Sequence, residues 1–506
     1  MPSSLAAAAR QVSESGAKVV DETSSSSASS ASGTEKKEPD SYHSLSYAYK
    51  TYLRHDKDEQ DHWEDVCQSY RQYATFAMAQ WANHQYRLHS LPEEQRKVLP
   101  AALRGDTEEF QQRAKLYKEA AIRNQFCLDC ILRHAGQPHS QTSAAKNSKK
   151  FSSDAQMSKV SSVLKSLVRD WSKDGQVERD LAYKPILEQT KKYIPIPSAS
   201  ANPAGQAALP RICVPGAGVG RLAMEISALG YAVQGNEFSL YMLLASDFIL
   251  NGGVATPQTP LRISPWLLES RNVHKSSDPF RVVSIPDIDL YELLTKTGNN
   301  IDSGSCNEIP ADASVTSDGV VSESATTGGS GEESAEKTPT PFSMAAGEFV
   351  SIYGTPREKG AWDGVVACFF LDASPSIVEY LQVIHDMLKP GGVLINFGPL
   401  HWHWSGPAMR PDDKTVEDYR ARYSYLDKNY LSSVDLSWED IQNIVTNIGF
   451  EIVECSSGNR ALYTADRSSM VNMDYRCVNF VARKNKAGCK PLPAKCIEAF
   501  TEAKSS

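Results

Sequence analysis

Apolar and aromatic side chains recur at every third or fourth position along two stretches near the start of the chain, residues 63–88 and 110–131. This spacing gives a helix one apolar face to bury against its neighbours. We therefore predict an N-terminal helical region and linker over residues 41–150. Its aromatic face is expected to form a core between packed helices; a ligand groove is the alternative.

Two segments lack the large apolar side chains that a folded core requires. Residues 1–40 are rich in serine, alanine, lysine and glutamate, and residues 299–341 in glycine, serine, threonine and acids. Such compositions bury too little apolar surface to offset the entropy of ordering the backbone. We predict a disordered N-terminal tail and a disordered insertion within the second domain, because surface loops tolerate long additions at small entropic cost.

Beyond residue 151 the pattern alternates between helix and strand. A helical stripe covers residues 157–171, and apolar runs that fit buried strands lie at residues 212–214, 342–349, 362–371, 391–396, 451–454 and 477–481. The run at 362–371 is apolar throughout, as a strand covered on both faces requires. Alternating strands and helices predict an α/β fold with a doubly wound, Rossmann-like sheet over residues 151–485.

The first predicted strand opens into a glycine-rich turn. Gly216, Gly218 and Gly220 follow at every second position, and Glu237 lies just past the next strand. This is the layout of nucleotide sites in open α/β sheets, where the acid accepts hydrogen bonds from ribose hydroxyls. The dinucleotide fingerprint would need glycine where this chain has Arg221. The G-x-G-x-G spacing instead resembles motif I of class I S-adenosylmethionine methyltransferases; a turn that binds nothing is the alternative.

Charge and cysteine content indicate which classes of binding partner and which cell compartment to expect. The 506-residue chain carries 53 Lys and Arg against 61 Asp and Glu, a net charge of −8, so no general basic field indicates nucleic acid or an anionic membrane. We also expect no membrane span and no signal peptide. Ten scattered cysteines fit reduced thiols in the cytoplasm, with the nucleus as a second location. Cys127-x-x-Cys130 is read as a buried helix face rather than a zinc site, because no second pair lies nearby.

Several motifs in a fixed order together resemble the carnosine N-methyltransferase family, which methylates the imidazole of the dipeptide carnosine to give anserine. The motifs are RDWS (169–172), ERD (178–180), YKP (183–185), VPGAGVGRLA (214–223), GYAVQGNE (230–237), CFFLD (368–372), KPGG (389–392) and GPLHWH (398–403). The resemblance covers most of residues 41–485. It leaves residues 486–506 as a C-terminal tail.

The resemblance implies a role for individual residues. S-adenosyl-L-methionine would be bound by Arg169, Gly216, Gly218, Glu237, Glu348 and Phe349, with Glu348 and Phe349 on the adenine side. The dipeptide would be held by Asp372, His403, Tyr463 and Tyr475, with Asp372 and His403 as the catalytic pair. Two positions depart from the family pattern: Ser166 stands where the family has glutamine, and Glu348 where it tends to have aspartate.

Methyl transfer to an imidazole ring is favoured by carboxylate and histidine side chains such as Asp372 and His403. A neutral imidazole attacks through its unprotonated nitrogen, and a carboxylate or histidine bonded to the other nitrogen fixes the tautomer and stabilises the cationic product. Asp372 directly follows a buried strand, at the edge where open sheets bind ligands. Asp372 could instead cap the helix that begins near Pro375, and Tyr463 and Tyr475 could be ordinary half-buried aromatics. His401 and His403 lie two residues apart, but the sequence offers no third metal ligand, and we predict no metal.

Two other functions remain open from sequence. The chain could methylate histidine within proteins, with the helical region as a docking surface, or it could be a non-catalytic interaction module that retains the methyltransferase fold. The joint presence of the glycine turn, Glu237, Asp372 and His403 argues for catalysis. The sequence is compatible with a homodimer but leaves the oligomeric state open.

Overall fold

The computed structural model describes residues 57–137, 151–197, 208–252, 255–296, 342–463 and 466–485. The predicted tails at 1–40 and 486–506 and the predicted insertion at 299–341 lie outside the described residues, as does most of the predicted linker.

The N-terminal region is helical, as the spacing of its apolar residues predicts. Its helices are α1 (Lys57–Arg71), α2 (Tyr73–His89), α3 (Glu93–Lys97) and α4 (Glu108–His134). Thr107 caps α4 by accepting a hydrogen bond from the Phe110 amide at 3.2 Å. Tyr70 and Tyr73 are fully buried, so the aromatic face is a core. Cys127 and Cys130 are also buried on α4, which confirms their interpretation as part of a helix face.

The remaining helices and strands alternate along the chain. The helices are α5 (Asp154–Trp171), α6 (Gln176–Tyr193), α7 (Arg221–Ala228), α8 (Leu240–Asn251), α9 (Leu290–Lys296), α10 (Phe349–Tyr353), α11 (Ile377–Met387), α12 (Val416–Arg422), α13 (Lys428–Ser432) and α14 (Trp438–Ile448). The strands are β1 (Arg211–Pro215), β2 (Ala232–Glu237), β3 (Leu261–Ile263), β4 (Val283–Ile285), β5 (Phe342–Ala346), β6 (Trp362–Cys368), β7 (Leu388–Gly398), β8 (Phe450–Leu462) and β9 (Asp474–Lys484).

Seven strands form one sheet in the order β5-β2-β1-β6-β7-β9-β8, and β3 and β4 form a separate antiparallel pair. All neighbours from β5 to β7 are parallel, whereas β9 runs antiparallel to both β7 and β8. The chain builds outward from β1 on one side, then returns to β6 on the other. The boundary between β1 and β6 is therefore the switch point at which open α/β sheets bind ligands.

Both faces of the sheet are covered, which explains the near-continuous apolar strands. On β1, Ile212 and Val214 face one buried cluster with α6 and α7, and Cys213 faces the other with α10, α11 and α14. The doubly wound prediction is confirmed.

The helical region packs directly on this second part of the chain. Buried Asn124 of α4 donates to the Ser264 carbonyl at 2.8 Å and accepts from its amide at 2.6 Å. Tyr70 of α1 donates to the Tyr241 carbonyl on α8 at 2.7 Å. One apolar cluster joins α1, α2, α4, α5, α8 and the β3–β4 pair, so the two regions share a core.

Several strand predictions had wrong boundaries: the run at 362–371 ends as a strand at Cys368, and the run at 391–396 lies inside the longer β7. The run at 342–349 ends as a strand at Ala346, and Phe349 already belongs to α10, because Glu348 caps that helix. The closing strands are longer than the runs at 451–454 and 477–481, since they extend past the sheet core as a paired β8–β9 hairpin in which Ala461 opposes Tyr475.

Candidate active site

Each of the seven strands delivers a predicted site residue to the same edge of the sheet. The glycine turn follows β1, Glu237 ends β2, Glu348 follows β5, Asp372 follows β6, His403 follows β7 and Tyr463 follows β8. Tyr475 lies near the start of β9, which runs the opposite way, so it reaches this edge too. Parallel topology thus brings together residues that are up to about 260 positions apart in sequence.

The glycine turn requires glycine at its first two positions. Gly216 and Gly218 have φ of +64° and +57°, in the left-handed region that disfavours residues with a side chain. A Cβ on Gly216 would approach Phe370 Cδ2 to 2.9 Å. The turn therefore keeps its backbone open to close approach by a ligand.

Glu237 closes the turn from the neighbouring strand. It accepts hydrogen bonds from the Gly218 amide at 2.9 Å and from the amides of Phe238 and Ser239 at 2.9 and 2.8 Å. Burial raises the pKa of Glu237, and these three amides oppose that rise. Its carboxylate is thus fixed beside the turn, in the position expected of a ribose acid.

Arg169 reaches the turn from the end of α5. Its Nη2 lies 3.6 Å from the place that a Cβ on Gly218 would occupy. A two-point ion pair with Asp170, at 2.7 and 3.1 Å, fixes the guanidinium, and Tyr183 donates to the same carboxylate at 2.8 Å. The guanidinium also lies 5.5 Å from the centre of the Tyr463 ring, within the range of a cation–π contact.

A cleft with about 510 Å³ of empty space, part of it open to solvent, lies between Arg169, the glycine turn and Tyr463. Arg169, Gly216, Phe369 and Tyr463 are among its lining residues. The cleft therefore joins the glycine turn to the aromatic side chains beyond β6.

Glu348 and Phe349 are fixed inside the protein. Glu348 accepts from the amides of Val350 and Ser351 at 3.0 and 2.7 Å and from the Tyr380 hydroxyl at 3.0 Å. Phe349 is only 2% exposed. The structure thus shows a helix cap and a core ring at this pair, and their adenine-side role stays a prediction.

Asp372 is the buried carboxylate of the site. It is 1% exposed, and its Oδ2 accepts from the His401 amide at 3.0 Å. Its Oδ1 is buried without a hydrogen-bond partner among the described residues, although buried polar atoms rarely lack one. Burial raises the pKa of Asp372, opposed by the His401 amide and by the charge of His403. The helix-cap alternative for Asp372 is wrong, because the cap of α11 is Ser376 and no side chain bonds there.

The segment after β7 wraps around Asp372. The His403 amide donates to the Asp372 carbonyl at 3.0 Å, and the rings of His401 and His403 lie 5.9 Å apart, both exposed. Trp402 between them has φ of +49°, a strained conformation for a bulky residue. It points into the core, where its Nε1 donates to the Leu436 carbonyl at 3.2 Å.

The two tyrosines are half-buried and form a wall with Phe369. Their rings lie 6.3 Å apart, at 5.1 Å (Tyr463) and 5.9 Å (Tyr475) from the ring of Phe369. Phe369 itself has φ of +52°. Tyr475 is also 6.2 Å from the ring of His401. These ring contacts form a continuous series from Arg169 in the cleft to His401 and His403.

Comparison with known proteins identifies the family. The profile of carnosine N-methyltransferase matches residues 146–322 and 331–486. The carnosine N-methyltransferase of Mus musculus is 31% identical over 431 residues, which cover 84% of this chain and 86% of the relative. The chain belongs to the carnosine N-methyltransferase family. The relative from Schizosaccharomyces pombe is 30% identical over 331 residues, covering 65% of this chain and 72% of its own.

A solved structure, phosphoethanolamine N-methyltransferase 2 from Haemonchus contortus, is 12% identical with a TM-score of 0.30. The match covers 66% of this chain and 59% of the other. A likeness of this size supports no inference about the site.

Members of the carnosine N-methyltransferase family use S-adenosylmethionine, and the residues present here fit that cofactor. The left-handed glycines open the turn, Glu237 lies beside it, and Arg169 offers a guanidinium at the same place. Among the described residues, no group of three His, Cys, Asp or Glu side chains could hold a metal ion. No helix in this part of the chain is long and apolar enough to cross a membrane.

Three residues contribute to the site although the sequence predicted no role in it for them. Asp170 fixes Arg169, Phe369 builds the aromatic wall, and His401 donates its amide to Asp372. Asp170 and Phe369 lie inside the RDWS and CFFLD motifs, which was the available signal. His401 contacts Asp372 through its backbone amide, a group that every residue except proline has. Its role could therefore not be predicted from the residue type.

Proposed function

We propose that this protein transfers a methyl group from S-adenosylmethionine to the imidazole ring of carnosine or a closely related histidine-containing dipeptide. The family assignment supports the reaction, and the unpaired Oδ1 of Asp372 carries the assignment of the site. A carboxylate oxygen that is buried and without a partner is costly unless a ligand supplies the missing donor. A neutral imidazole has one such donor, the N–H opposite its nucleophilic nitrogen.

Asp372 and His403 are the proposed catalytic side chains. Asp372 accepts the imidazole N–H, which fixes the tautomer and leaves the other ring nitrogen unprotonated. As the ring gains positive charge, the same carboxylate stabilises it. His403, whose amide bonds the Asp372 carbonyl, stands beside that carboxylate as the second catalytic residue.

The aromatic wall orients the substrate. Tyr463 lies beside Arg169 and Tyr475 lies beside Tyr463, and we assign both to the polar ends of the dipeptide. Bound S-adenosylmethionine supplies a methyl group on a positively charged sulfur. Displacement at a methyl carbon is in line, so positioning the nucleophile is the main contribution that these side chains make to the rate.

The substrate assignment is tested by a product survey. Purified protein is incubated with labelled S-adenosylmethionine and, separately, carnosine, β-alanyl-phenylalanine and a whole-cell protein extract. We expect methyl on the imidazole of carnosine and none on β-alanyl-phenylalanine, which keeps a flat ring but lacks ring nitrogens. Label only in protein histidine would replace the dipeptide by a protein substrate. Cofactor binding without transfer to any of them would contradict the proposal.

Two further parts of the proposal rest on sequence alone. We place the protein in the cytoplasm, with the nucleus as a second location, and we retain a homodimer as its compatible assembly. Cell fractionation and light scattering of the full chain test them independently of the chemistry.

A further inference from the structure

A buried carboxylate outside the cleft links two arginines. Asp287, which follows β4, accepts from Arg179 Nη2 at 2.6 Å through one oxygen and from Arg221 Nη1 at 2.8 Å through the other. The side chains of both arginines are 7% exposed and that of Asp287 is 10% exposed. The three groups therefore form one ionic unit that solvent scarcely reaches.

Both arginines bind the backbone at the end of α5. Arg179 Nη1 donates to the carbonyls of Arg169 and Ser172 at 2.6 and 2.9 Å. Arg221 Nη1 donates to the Asp170 carbonyl at 3.2 Å. Carbonyls in the last turn of a helix lack intrahelical partners, and here cationic side chains supply them.

The same backbone stretch carries Arg169 to the glycine turn. Arg221 is the first residue of α7, directly after that turn, and its guanidinium lies 5.0 Å from the ring centre of Trp171. Trp171 in turn donates its Nε1 to the Val219 carbonyl at 3.0 Å. The end of α5 is thus tied to the turn on two sides, within a few residues of Arg169.

We propose that Asp287, Arg179 and Arg221 are positioning residues that hold Arg169 against the glycine turn. The inference rests on the proposed function for the role of Arg169 in cofactor binding. Stability alone would not explain the arrangement, because buried ion pairs often stabilise a fold no better than apolar side chains of similar size. This one instead fixes the backbone of Arg169 and of the residues that directly follow it.

The test compares Asp287→Asn with Glu225→Gln as its matched control. Glu225 also pairs with Arg221, at 2.6 Å through Nε, but it is Asp287 that bridges Arg221 to Arg179, the donor to the carbonyls of Arg169 and Ser172. We expect Asp287→Asn to raise the Kd for S-adenosylmethionine, measured by calorimetry, about tenfold. At saturating cofactor its kcat should stay within about twofold, and Glu225→Gln should leave the Kd near that of the wild type.

A double-mutant cycle with Arg169→Ala isolates the positioning role. If Asp287 acts through Arg169, Asp287→Asn should change the Kd little once Arg169 is replaced. An undiminished effect in the Arg169→Ala background would overturn the proposal, as would an unchanged Kd in a folded Asp287→Asn protein. Should Asp287→Asn not fold, Arg221→Lys serves instead, since a lysine keeps the charge but lacks the fork of donors; an unaltered Kd there would equally overturn it.

Calorimetry measures the binding of S-adenosylmethionine, so its result does not depend on whether carnosine is the substrate. Failure of the wild-type protein to methylate carnosine would remove the dipeptide assignment and leave the Kd comparison intact. Methylation of carnosine with an unaltered Kd in Asp287→Asn would do the reverse.

Discussion

The His401 amide donates to Asp372 Oδ2 at 3.0 Å, while Asp372 Oδ1 stays buried and unbonded among the described residues. One oxygen of the carboxylate is therefore held by the protein and the other is left for a donor from outside. We take this asymmetry as the central feature of the site, because it orients the carboxylate without satisfying it.

Asp372→Asn should stabilise the ligand-free protein near neutral pH. Burial raises the pKa of Asp372 above the unfolded value of 3.8, so the ionised carboxylate disfavours the folded state. That cost is fully present above the raised pKa and disappears as the pH falls to 3.8 and below, where the carboxyl is protonated in both states. We expect a Tm increase of about 2–4 °C near pH 7.5 and none at the acid end of the range.

Asp440→Asn is the control for this melting experiment, because we expect it to change the Tm in the opposite direction. Hydrogen bonds from Ser437 lower the pKa of Asp440, so its contribution to stability is present above pH 3.8 and lost as the pH falls through the lowered pKa. Its replacement should lower the Tm at pH 7.5. A lower Tm for Asp372→Asn at the same pH would contradict the description of Oδ1 as unpaired.

Gly216→Ala should weaken cofactor binding, whereas Gly360→Ala should not. Both glycines have φ of +64°, but a Cβ on Gly360 would meet nothing within 4 Å, and one on Gly216 would approach Phe370 to 2.9 Å. Each substitution pays the left-handed backbone cost of about 1–2 kcal/mol. Only Gly216→Ala also disturbs the turn, and we expect its Kd for S-adenosylmethionine to rise at least about tenfold.

Equal effects of the two glycine substitutions on the Kd, measured by calorimetry on folded proteins, would show that the turn is not the cofactor site. Both variants should lose Tm because the left-handed backbone cost is shared, and Gly216→Ala should lose more because its Cβ also crowds Phe370.

Tyr463→Ala should weaken cofactor binding more than Tyr463→Phe does. The Tyr463 ring lies 5.5 Å from the Arg169 guanidinium and 5.1 Å from the Phe369 ring. Cation–π contacts contribute about 0.5–2 kcal/mol, so the alanine variant should lose about 2- to 30-fold in affinity for S-adenosylmethionine. Phenylalanine keeps the ring and should stay within about twofold. A phenylalanine variant as weak as the alanine one would assign the effect to the hydroxyl.

Much of the fold could be predicted from sequence because its signals are local. The spacing of apolar residues marked the helices, and buried strands such as Trp362–Cys368 appeared as uninterrupted apolar runs. The boundary at Ala346 was missed because Glu348 caps the following helix with its own side chain. A glutamate is not the usual residue at such a cap, so the pattern gave no stop signal.

The site was less accessible to sequence reasoning because it depends on contacts between distant segments. The resemblance named Asp372, but only the structure shows that one oxygen is bonded by a backbone amide 29 residues later and the other is not. Likewise, Arg221 was noticed only as a departure from a fingerprint. Its bonds to Asp287 and to the Asp170 carbonyl emerge from the fold.

The central claim is tested most directly by the turnover of carnosine in Asp372→Asn. The asparagine keeps the size of the side chain but loses the negative charge that strengthens the hydrogen bond from the imidazole N–H and stabilises the cationic product. We expect kcat/KM for carnosine to fall about 100-fold or more, with the Kd for S-adenosylmethionine within about twofold of the wild type. Turnover equal to that of the wild-type protein in a folded Asp372→Asn variant would contradict the account.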